Sequence, residues 1–76
     1  MLNLTMANRQ IYDFIVNFGL KNGYLPTMFE IQEGLGKAPK TVEYHMDALN
    51  EKGAIVKTGK HRYSVPELHY ERGNRA

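Results

Sequence analysis

A chain of 76 residues, 42% of them hydrophobic and with a net charge of +2, makes one small folded domain with a modest core and little space for a deep substrate pocket. The absence of cysteine excludes disulfides and thiolate metal sites, and it is compatible with a reducing cytoplasm, the expected location. No segment approaches the roughly twenty apolar residues that cross a bilayer, so no membrane role is expected.

Residues 1–4 read as a short lead-in. Thr5 suits the N-cap of a first helix running to about Asn22, with Ile11, Ile15 and Phe18 on one face and Phe14 beside them. Asn22-Gly23 stops it, because both residues tolerate positive φ. Pro26 keeps the residue before it extended. Thr27-Met28-Phe29-Glu30 then matches a capping box, in which the Thr27 hydroxyl accepts from the Glu30 amide and the Glu30 side chain reaches back to the Thr27 amide. It opens a short second helix carrying Phe29, Ile31 and Leu35, which Gly36 terminates. Only Lys37 and Ala38 precede Pro39, which suits a first helical position. A third helix over residues 39–52 follows, with Val42, Met46 and Leu49 as its apolar stripe and Gly53 as its stop. Two helices joined by so tight a glycine-bearing turn form a helix-turn-helix.

After Gly53 the pattern shifts to β-branched and alternating residues. Residues 54–57 and 63–65 predict a two-stranded hairpin whose tip, Thr58-Gly59-Lys60-His61-Arg62, is rich in cations. Pro66 ends it, and residues 67–76 show no stable pattern and read as a mobile polar tail. The expected domain is therefore residues 1–66, mainly α with a small β-hairpin. Phe14, Ile15, Phe18, Ile31, Leu35, Val42, Met46, Leu49 and Ile55 are its expected core. Charge is unevenly placed. Lys37, Lys40, Lys52, Lys57, Lys60 and Arg62 outnumber Glu43, Asp47 and Glu51 in residues 37–62, whereas residues 1–36 are slightly acidic. A surface that binds a polyanion needs such an asymmetry.

Three helices followed by a hairpin is the layout of a three-helix winged helix-turn-helix, and the residues point further. Gly23-Tyr24-Leu25-Pro26-Thr27 with Glu30-Ile31, then Leu35-Gly36, Pro39, Glu43, His45, Ala48-Leu49 and Lys52-Gly53, resemble the N-terminal DNA-binding domain of the SOS repressor LexA family. Leu4-Thr5 and residues 11–15 share the likeness, which covers about residues 4–57 and the wing in outline. The resemblance implies duplex DNA binding, with the start of the third helix in the major groove and the wing near the backbone. It implies base-reading roles for Ala38, Lys40, Thr41, Glu43 and Tyr44. Four of these depart from the family's usual Ser, Asn, Ala and Glu, at Ala38, Lys40, Thr41 and Tyr44 respectively, and the turn before Pro39 is one residue shorter. The fold inference survives those departures; reading of a LexA operator does not follow. The family's second domain, which dimerises and cleaves itself, is expected to be missing.

Taken singly, Lys40 can donate to guanine or pair with a phosphate, and Tyr44 can meet a thymine methyl, a phosphate or the rim of the core. Thr41 can touch a base or phosphate, and Glu43 can accept from cytosine N4. Thr27 either caps its helix alone or also receives a phosphate at the positive helix end. Lys57, Lys60, His61 and Arg62 suit phosphate contacts from the wing, Arg62 with reach toward a minor groove, or else merely solubilise the hairpin. His45, His61 and His69 lack metal-ligand spacing, Ser64 lacks a nucleophile's setting, and Gly34–Lys37 lacks a full phosphate loop. No enzyme activity, metal or cofactor is expected. The reading is a sequence-specific double-stranded DNA-binding regulator, supplemented by a homodimer or partner regulator. The competing one is a winged-helix interaction module acting as adaptor or decoy, suggested by Glu43, Asp47 and Glu51 on the third helix.

Overall fold

A computed structural model of the chain describes residues 4–68 and 70–71. Helix α1 spans Met6–Asn22, with the Thr5 hydroxyl accepting from the Asn8 amide at 3.2 Å. Helix α2 spans Met28–Leu35 and begins with the complete capping box: Glu30 N–H donates to Thr27 Oγ1 at 3.0 Å, and Thr27 N–H donates to Glu30 Oε1 at 2.7 Å. Gly36 closes α2 at φ 63°, a left-handed backbone that most side chains resist, and its position lets Pro39 start α3 three residues later. Helix α3 spans Pro39–Glu51 with proline in its first turn. The three helices pack against one another pairwise.

Among the described residues the core is one cluster drawn from the three helices, Leu25 between the first two, and the wing. Ile11 and Ile15 of α1, Ile31 of α2, and Val42, Met46 and Leu49 of α3 meet Leu25, Ile55, Tyr63 and Val65, all essentially inaccessible to water. Burial of side chains of this size contributes about 1.5–3 kcal/mol each, and it holds so short a chain together. Phe14 and Leu35 pack at the margin of the cluster rather than within it. Phe18 is half-buried too, with its ring 6.0 Å from that of Phe14 and 5.7 Å from that of Tyr24. Phe29 is 64% exposed, on the opposite side of its short helix from Ile31.

The wing differs from expectation at both ends. Ala54 and Ile55 are buried but lie outside the first strand, because their amides point back to the Leu49 carbonyl at the end of α3, at 3.0 and 3.5 Å. Strand β1 is therefore only Val56–Lys57, pairing antiparallel with β2, Tyr63–Val65, in the register Val56 to Ser64 and Lys57 to Tyr63. The expectation of an unpatterned tail also fails at Tyr70–Glu71. These residues form β3, antiparallel to β2 on its other side. A tight turn makes this pairing, with Leu68 N–H bonded to the Val65 carbonyl at 2.9 Å. The partner groups come from the open edge of β2, so local composition carried no sign of it. His69 and residues 72–76 of that stretch lie outside the described residues.

Two tyrosines tie the wing to the helices. Tyr63 buries its ring and donates to the Pro26 carbonyl at 2.6 Å. Tyr12 of α1 donates to Glu67 Oε1 at 2.8 Å, in the turn between β2 and β3. The wing is thus fixed on the helical core at its root.

Candidate nucleic-acid interface

Helix α3 is divided by its own period. Val42, Met46 and Leu49 face inward, which turns Lys40, Thr41, Glu43, Tyr44 and Asp47 to solvent. Lys40, Tyr44 and Asp47 stand at i, i+4 and i+7 and form one ridge along the helix. Tyr44 is 71% exposed, its ring set edge-on to the His45 imidazole at 5.3 Å. The rim-of-core alternative for Tyr44 does not describe this position. His45 lies just behind the ridge, half-buried, and its Nδ1 donates to Oδ1 of the buried Asn8 at 2.7 Å. A carbonyl oxygen only accepts, so the bond fixes the proton on Nδ1 and docks α3 on α1.

Ala38 occupies the α3 N-cap, exposed, and supplies no side-chain cap to the helix amides behind it. Thr27, by contrast, has both its hydroxyl and its amide engaged in the capping box, and the Glu30 carboxylate already sits at the positive end of α2. A phosphate arriving there competes with that carboxylate.

The wing tip closes on itself, with Thr58 N–H to the Arg62 carbonyl at 2.9 Å and the Arg62 side chain lying against Gly59. Lys60, His61 and Arg62 are all exposed. Pro39 and Glu43 of α3, Lys60 and His61 of the tip, Lys57 of β1, and Met28 and Gln32 of α2 line one open groove. Glu43, which neighbours the Lys40–Tyr44–Asp47 ridge on α3, and the finger thus share one groove. Met28 and Gln32 were not among the expected site residues. Their i, i+4 spacing put them on one face of α2, but only the angle between α2 and α3 shows that this face lines the groove.

Lys57 is held twice by α3. Its ammonium pairs with Asp47 Oδ1 at 2.6 Å, and its backbone N–H donates to Asn50 Oδ1 at 3.1 Å. Asn50 thereby occupies an amide on the outer edge of β1, where another strand would otherwise add. Among the described residues, no group of three histidine, aspartate or glutamate side chains is arranged to hold a metal ion, and no helix is long and apolar enough to cross a membrane.

The family model of the LexA DNA binding domain matches residues 1–62, which takes in all three helices and the wing tip. The chain belongs to the LexA DNA-binding domain family. The LexA repressor of Koribacter versatilis is 35% identical over 69 residues, covering 90% of this chain and 33% of its own length. Those of Pseudomonas chlororaphis and Ectopseudomonas mendocina are each 46% identical over 59 residues, covering 76% of this chain and 29% of theirs. The chain thus spans about a third of the length of the curated relatives it matches, and the shared third is the LexA DNA-binding module.

Proposed function

We propose that this LexA-like domain binds double-stranded DNA in a sequence-dependent way as a small transcriptional regulator. The start of α3 enters the major groove, and the wing tip lies along the sugar-phosphate backbone. The observation that carries this reading is the common groove lined by Pro39, Glu43, Lys60 and His61 beside the open Lys40–Tyr44 ridge. In this arrangement Lys40 donates to guanine O6 or N7, Thr41 and Tyr44 contact a base edge or a thymine methyl, and Glu43 accepts from cytosine N4. Ala38 brings the uncapped helix start close to the duplex, Thr27 approaches a phosphate, and Lys60, His61 and Arg62 follow the backbone. A single module of this size makes few phosphate contacts, so a second copy or a partner regulator completes a stable complex on DNA.

Fluorescence anisotropy with duplexes recovered from a random library tests the reading directly. Wild-type protein should bind a preferred sequence at low salt and lose affinity as salt rises. Combining Lys40→Ala with Arg62→Ala should weaken binding by at least about tenfold, since one base contact and one phosphate contact are removed. No binding at low salt, or no effect of the paired substitution, would falsify it.

A further inference from the structure

Asp47 places a carboxylate on the ridge meant for DNA, three residues beyond Tyr44, and its side chain is 59% exposed. A free anion there repels phosphate. Lys57 meets it at 2.6 Å and is itself only 26% exposed. Its position does not depend on the ion pair alone, because Asn50, one helical turn along from Asp47, grips the Lys57 amide. Two α3 side chains at i and i+3 therefore set both the backbone and the ammonium of one wing residue.

Resting on the DNA-binding reading above, we propose that Lys57 neutralises Asp47 within the interface rather than contacting phosphate. Asp47 and Lys57 then act as one uncharged unit joining the third helix to the wing. The charge that meets DNA comes from Lys40, Lys60 and Arg62. An ion pair at the surface contributes little to folding, so its removal leaves the domain folded and its effect appears in binding.

The test is a four-way comparison of wild type, Lys57→Met, Asp47→Asn and the double variant in the full chain. Methionine keeps the apolar stem of the lysine. Thermal melts confirm folding, and anisotropy over a salt series uses a labelled duplex selected from a random library. Lys57→Met should weaken binding about fivefold, the effect of one uncompensated charge close to the duplex, and Asp47→Asn should strengthen it by a similar factor. The double variant should return to within about twofold of wild type, with an unchanged salt slope.

A phosphate contact by Lys57 gives a different result. The double variant would stay weaker than wild type, and its slope would fall by about 0.9. A purely structural role gives a third, in which Asp47→Asn weakens binding because the wing loses its anchor. Either result overturns the inference while leaving DNA binding intact. Failure of the wild type to bind any duplex overturns the functional reading and this inference together.

Discussion

Tyr12 shows how much one side chain can carry in a domain this small. Its hydroxyl crosses from the first helix to Glu67, and its pKa is pushed up to about 12, first by burial and then by the hydrogen bond and negative charge of Glu67. In the unfolded chain the same phenol titrates near 10. Below pH 10 the contact contributes in full. As pH rises from 10 to 12 the unfolded state releases a proton that the folded state keeps, so this stabilisation is lost. The melting temperature of wild type should therefore fall more steeply above pH 10 than that of Tyr12→Phe. At neutral pH Tyr12→Phe should cost about 1 kcal/mol in urea unfolding. Parallel pH slopes for the two proteins would show that the Tyr12–Glu67 contact does not persist in solution.

At the scale of elements, legibility depended on range. The Thr5 cap, the Thr27–Glu30 box, Gly36 and Pro39 act within one turn of chain, and the sequence shows the helices almost to the residue. Strand β3, the return of Ala54 and Ile55 to Leu49, and the Lys57–Asp47 pair depend on groups that meet only after folding, so they left no local pattern. The site divides in the same way. The exposed face of α3 follows from its apolar stripe, while Met28 and Gln32 join the groove through interhelical geometry. The capping box lends itself to measurement. Thr27→Ala removes the bond to the Glu30 amide and should cost roughly 1 kcal/mol, within a range of about 0.5–2. Gly34 offers a contrasting case, because a Cβ there would collide with the tip of the Phe14 ring. Alanine gains about 0.5–1 kcal/mol of helix propensity, but overpacking costs about 1–3, so Gly34→Ala should be destabilising. Adding Phe14→Leu should recover part of that loss in chemical denaturation; a stabilised Gly34→Ala would mean that the ring swings aside at no cost.

For the whole molecule, the question is how a domain with extents of 32 × 28 × 24 Å and a net charge of only +2 holds a polyanion. On the proposed interface, few of its cations are left to meet phosphate. With Lys57 engaged by Asp47, Lys40, Lys60 and Arg62 remain on the ridge and the tip. With Lys40 on a base, the two phosphate neutralisations by Lys60 and Arg62 give a slope of log affinity against log salt of about −1.8, or roughly a 12-fold loss between 50 and 200 mM. That is weak for a specific regulator, and a second module in register is the economical remedy. Successive major-groove faces recur about 34–36 Å apart, close to the longest dimension of this domain, so two copies fit side by side on a two-fold site. On a selected palindrome the slope should approach twice the half-site value, and the affinity should exceed that for a half-site by far more than twofold. The same slope on half-site and palindrome, with saturation at one chain per duplex, would mean that the domain acts alone.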